Sequence, residues 1–195
     1  VSIFLDNTFF CGIPRSLVLK LDLFQGKEVD QEEIQKLIDE KERTEAKQKV
    51  IRLFNRRIYS EHEIIEKLAK KGYEENVIQK VVQELKENSL IDDYLFTKAF
   101  VHDRLLLKPE GSFQIACELK NKGVSKKIIE NVFIEEKIAE GDFDRALEIA
   151  KKRLEILKSI KDKKTVKRRL YNFLIRRGFS YDIIKNILDQ LLTSY

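Results

Sequence analysis

Residues Ser60–Asp93, SEHEIIEKLAKKGYEENVIQKVVQELKENSLIDD, read as two amphipathic helices joined at Gly72. Ser60 and Glu63 form a capping box, in which the serine hydroxyl accepts from the amide three residues on and the glutamate reaches back. Ile64, Ile65, Leu68 and Ala69 then line one face at helical spacing, and Gly72 supplies the stop. Val77, Ile78, Val81, Val82 and Leu85 form a second apolar stripe. Neither stripe can be buried by its own helix.

The rest of the chain repeats this arrangement around Gly123 and Gly178. Four residues before the glycines stand Leu68, Leu119 and Leu174; one before are Lys71, Lys122 and Arg177; one after are Tyr73, Val124 and Phe179. The pairs Val77-Ile78, Ile128-Ile129 and Ile183-Ile184 share one offset, and Val81-Val82, Val132-Phe133 and Ile187-Leu188 share another. The glycine numbers give periods of 51 and 55 residues, in the range of stacked supersecondary units that bury open faces on one another. Each unit has a leading helix, expected over about Lys47–Arg57, Asp93–Leu107 and Asp142–Leu157. The fold class is therefore mainly α: three tandem three-helix repeats in an elongated, curved array. Expected boundaries are 46–90, 91–140 and 141–195.

Residues 1–45 stand outside the repeat as a β-hairpin with short helices. Two short strands flank Asp6-Asn7, a hairpin turn. Pro14 is expected to open a helix carrying Leu17, Val18 and Leu21 and closing near Gly26. Asp30 and Glu33 suggest a second capping box, starting a helix through Ile34, Leu37 and Ile38. Residues 39–49, DEKERTEAKQK, lack an apolar stripe and read as an exposed helical linker. The chain begins at Val1 and contains no methionine, so a fragment of a longer product is expected.

Charged residues make up 36% of the chain and hydrophobic ones 43%, which excludes a disordered chain and predicts strongly charged polar faces. No apolar run approaches the roughly 20 residues of a membrane span, so no membrane partner is expected. Cys11 and Cys117 lack both zinc spacing and a disulfide framework, and a reduced cytoplasmic setting follows as the expectation. Charge is unevenly spread: residues 1–45 carry net −4, residues 46–144 net 0 and residues 145–195 net +9. Such a dipole matters to any polyanionic partner.

Catalytic patterns do not emerge. His62 and His102 are isolated from other ligand-type residues, and the glycines are scattered as caps and turns rather than gathered in a phosphate loop. Asp92-Asp93 reads as helix capping, and Ser125 and Ser180 as caps of the last helix of their units. No enzyme activity, cofactor or metal is expected. Phe54, Phe96, Phe100, Phe133, Phe143, Phe173 and Phe179 fall at core offsets. The basic cluster Lys163, Lys164, Lys167, Arg168, Arg169, Arg176 and Arg177 reads either as a solvated face or as a contact for phosphates or an acidic protein surface. Arg56, Arg57, Lys70, Lys71, Lys120 and Lys122 extend it if the units stack suitably.

The string Ser60-x-x-Glu63 with Lys67-Leu68 and Lys71-Gly72 resembles the first repeat of the RecX family, regulators of the bacterial recombinase RecA. Leu90-Ile91-Asp92-Asp93-x-x-Phe96-x-x-Ala99-Phe100-Val101, leading to Arg104, is similar to the same family, and Leu119-x-x-Lys122-Gly123-Val124 resembles its second repeat. The resemblance covers about residues 46–195, and residues before it resemble the variable leader of longer members. Tyr59 replaces a common arginine, and Glu110-Gly111-Ser112 is a loose form of the second-repeat entry. The resemblance implies an all-helical modulator, without an active site, lodged in the groove of the RecA–DNA filament. It implies reduced filament growth, ATP hydrolysis and strand exchange. The expected partner is the RecA nucleoprotein filament, with weak direct contact to single- or double-stranded DNA, and the chain is expected to act as a monomer. A helix-turn-helix-like duplex binder and a helical-repeat scaffold are the alternatives left open by the residues themselves.

Overall fold

The computed structural model describes residues 1–13, 15–20 and 22–193. Strands β1 (Ser2–Leu5) and β2 (Thr8–Gly12) pair antiparallel with a register shift between Ile3 and Phe4. Asp6 and Asn7 both take positive φ, 48° and 64°, as a tight hairpin turn requires. Helix α1 (Arg15–Lys20) is shorter than expected, since the chain turns at Asp22, at positive φ, well before Gly26. Pro14, Leu21 and the side chains of Leu17 and Glu33 lie outside the described residues.

The largest departure from the expected boundaries is α2 (Gln31–Phe54), one continuous helix where a short helix, a linker and a separate leading helix were expected. Asp30 caps it, its carboxylate accepting from the Glu32 amide at 2.8 Å. The charged stretch 39–49 is helical as expected, but Ala46 within it is fully buried and anchors it to the first repeat together with Val50. Asn55 closes the helix, so Arg56 and Arg57 lie beyond its end.

The three units follow. The first adds α3 (Glu61–Ala69) and α4 (Glu75–Glu87) to the C-terminal half of α2; the second is α5 (Asp93–Leu107), α6 (Ser112–Asn121) and α7 (Lys126–Glu135); the third is α8 (Asp142–Leu157), α9 (Lys163–Arg176) and α10 (Tyr181–Thr193). The caps behave as their residue types dictate. Both bonds of the Ser60/Glu63 box are formed, Asp92 accepts from Tyr94 and Leu95 amides, and Ser125 and Ser180 accept from Ile128 and Ile183 amides. Gly72, Gly123 and Gly178 adopt φ of 85°, 79° and 81°, the left-handed stop that each helix pair needs.

Each unit owns a core. Ile64, Leu68, Val77, Ile78, Val81, Val82 and Leu85 gather with Val50 in the first. Phe96, Ile115, Leu119, Ile129 and Val132 form the second, and Val166, Leu170, Leu174, Phe179, Ile184 and Ile187 the third. The phenylalanines placed in the core by spacing are all buried in, or packed against, these clusters. An accessible surface of 13004 Å² exceeds the roughly 9,600 Å² of a compact globule of this mass. The array is elongated, with its apolar interior divided in three.

Candidate partner interface

Polar joints link the three cores, and the same joint is built twice. At the first, Ser60 Oγ donates to the Lys122 carbonyl at 2.6 Å, the Glu61 amide donates to Asp93 Oδ1 at 2.9 Å, and His62 sits so close over Gly123 that a Cβ there would overlap it. At the second, the Gly111 amide donates to the Arg177 carbonyl at 2.8 Å, the Ser112 amide donates to Asp142 Oδ1 at 3.0 Å, and Gln114 covers Gly178, 2.5 Å from where a Cβ would stand. In both, the start of a unit's middle helix meets the next unit's capping glycine and the first carboxylate of its leading helix. Ile91 and Ile138, just ahead of those leading helices, bury in the core of the unit before.

Electrostatics reinforce the first joint. Burial alone would push the Glu63 carboxyl up, but hydrogen bonds from Arg57 and then Lys122 outweigh it and hold the group down at about 2. Arg57 reaches Glu63 at 2.9 and 3.1 Å and lies 3.7 Å over the Tyr59 ring, and Lys122 reaches it at 2.6 Å. Asp93 shifts the other way: burial raises it, only partly opposed by the Glu61 amide. A cavity of about 300 Å³ opens beside this network, lined by His62, Glu63, Glu66, Glu118, Asn121 and Lys122.

These contacts sort the basic residues singled out by the sequence. Arg57 and Lys122 share one carboxylate, Glu63, which offsets one of their two charges; Lys122 is largely covered at the joint, whereas Arg57 stays exposed while paired. Lys70 pairs with Glu66 across one helical turn at 3.3 Å. Arg177 is half-buried over Phe173, and its carbonyl belongs to the second joint. Lys120 is exposed on α6, and Arg56 and Lys71 are exposed at the end of α2 and beside Gly72. On α9, Lys163, Lys164, Lys167, Arg168, Arg169 and Arg176 all face solvent, and none has an ion-pair partner among the described residues. Lys163, Lys164 and Lys167 also line a groove of about 470 Å³ against Leu188, Asp189 and Leu192 of α10.

The joint residues Glu61, Asp93, Gly111, Ser112 and Asp142 were not singled out as joint-forming by the sequence. Their signal was present, since an aspartate opens the leading helix of both later units. Among the described residues no cluster of His, Cys, Asp and Glu could hold a metal ion, and no helix is long and apolar enough to cross a membrane.

Three family models match in chain order: the RecX first three-helix domain over residues 46–85, the second over 92–132 and the third over 140–188. The chain belongs to the RecX family. The regulatory protein RecX of Clostridioides difficile strain 630 is 33% identical over 98% of this chain and 89% of its own length. That of Chlorobium phaeobacteroides strain BS1 is 35% identical over 74% of this chain and 91% of its own. Among solved structures, a crystal structure of regulatory protein RecX superposes with a TM-score of 0.72 at 18% identity, covering 100% of this chain and 92% of the other. RecX from Lactobacillus salivarius gives 0.67 at 22% identity, covering 77% and 97%. At these identities the structural likeness bears on the RecX fold, while the sequence relatives carry the family.

Proposed function

We propose that this RecX-family chain is a non-enzymatic modulator of a RecA recombinase that binds the groove of the RecA–DNA filament. Bound there, it limits filament growth, ATP hydrolysis and strand exchange. The observation that carries the reading is the outer face of α9. Lys164, Lys167, Arg168 and Arg169 project from one helix of a tandem array, in a C-terminal segment of net +9. Uncompensated cations at that density cost self-repulsion and are stabilised by a polyanion, either the phosphate backbone or an acidic protein surface. An elongated three-unit body with this charge at one end and an acidic segment at the other suits a filament that presents both protein and nucleic acid.

The test is ATP hydrolysis by a cognate RecA on single-stranded DNA, with the protein titrated below the recombinase concentration. Inhibition at such ratios is expected. Replacing Lys164, Lys167, Arg168 and Arg169 with alanine should weaken filament binding and flatten its dependence on salt, because fewer counterions are displaced. Unchanged affinity and slope would remove α9 from the interface, and no inhibition by the folded parent protein would remove the recombinase reading itself.

A further inference from the structure

The groove between α9 and α10 is the third member of a set whose other two members are filled. In the first unit the corresponding groove lies between the start of α3 and the end of α4, where Lys86 pairs with Glu61 at 2.9 Å. Into it comes the start of α5: Ile91 buries in the core, and Asp93 accepts from the Glu61 amide. In the second unit it lies between the start of α6 and the end of α7. There the start of α8 enters, Ile138 burying and Asp142 accepting from both the amide and the hydroxyl of Ser112. The filling is the same each time: an isoleucine, then a helix whose first residue is aspartate.

In the third unit the groove has the matching parts. Leu188 stands at the glycine offset of Val82 and Phe133, and Leu192 at that of Lys86 and Lys137. The start of α9 differs in one respect, because it lies about one turn further from its capping glycine than α3 or α6 does. That turn brings Lys163 and Lys164, which join Lys167 along a cavity floored by Leu188 and Leu192, with Asp189 beside them. Leu188 and Leu192 are themselves buried in the third core, so the groove's exposed recognition surface is its lysine rim, which suits carboxylates at the start of a helix.

We propose that this groove docks the acidic N-terminus of a helix on a partner protein, its first carboxylates met by Lys163, Lys164 and Lys167. A second copy of this chain fits less well. Glu42 takes the place of Asp93 and Asp142, since each lies four residues ahead of a buried residue (Ala46, Thr97 and Ala146). Yet α2 runs unbroken through Glu42, so the first unit offers no helix start there.

The experiment titrates the isotopically labelled full chain with a hydrocarbon-stapled helical peptide reproducing residues 90–107, the segment that fills the first groove. Amide shifts should cluster at residues 163–167 and 188–192. Lys163→Gln, Lys164→Gln and Lys167→Gln together should weaken binding at least tenfold, as should Asp92→Asn with Asp93→Asn in the peptide, and added salt should do likewise. All the protein substitutions are at exposed positions, and an unchanged spectrum elsewhere confirms the fold. Shifts centred elsewhere, equal affinity of the asparagine peptide, or self-association of the chain that blocks the groove would each overturn the proposal. Neither DNA nor recombinase is present, so this result stands apart from the ATPase test.

Discussion

At Gly72, Gly123 and Gly178 one backbone conformation serves two purposes. Every one of them sits near φ +80°, so alanine costs roughly 1–2 kcal/mol at each for the left-handed backbone alone. Gly72 has open space where a Cβ would go, whereas Gly123 has His62. Gly123→Ala should therefore lower the urea midpoint by clearly more than Gly72→Ala does. The excess measures the joint, and equal losses would mean that it contributes nothing. Glu63 supplies a pH signature. Its folded value of about 2 lies below the ordinary 4.5, so its contribution is present above pH 4.5 and is lost as the pH falls toward 2. Glu63→Gln should flatten the decline of stability across that window in denaturant melts at stepped pH. A parallel decline in parent and variant would show that Arg57 and Lys122 do not discriminate the charged form.

The elements show what was legible in the sequence and what was not. Capping boxes, glycine stops and apolar stripes act over three to ten residues, and the period locked to Gly72, Gly123 and Gly178 revealed the repeat. Leading helices α5 and α8 follow their expected ranges because an acidic start and a core stripe mark them. α2 escaped for a physical reason: residues 39–49 present charge on nearly every face, and only the packing of Ala46 shows that the helix never stops. Lys122 read as an external charge because its partner Glu63 lies 59 residues away in the chain. Separate cores also bear on how stability is distributed along the chain. Leu170→Ala, at a fully buried site on α9, should cost roughly 2–5 kcal/mol. In native-state hydrogen exchange the loss should be confined mainly to α8, α9 and α10, leaving protection in α3 and α4 intact. Uniform loss across all units would show that the joints couple the cores into one cooperative block.

For the whole molecule, the joints decide shape. Asp142 is 3% exposed and bonds to Ser112 and Arg145, so it carries much of the polar contact between the second and third units. Asp142→Asn combined with Ser112→Ala should remove roughly 1–3 kcal/mol of joint stability while each core keeps its helices. Small-angle scattering should then report a larger radius of gyration at unchanged far-UV circular dichroism. An unchanged radius would place the rigidity of the array elsewhere.

The unbroken course of α2 has a mechanical consequence. From Ala46, held in the first core, the helix reaches back to Gln31 over roughly 22 Å at 1.5 Å per residue. It works as a stiff lever arm. A tilt of the first unit by about 10° sweeps the far end of that arm through roughly 4 Å, a displacement large enough to make or break a contact. Any small rotation of the first unit would thereby be amplified into a larger displacement of the chain's N-terminal segment.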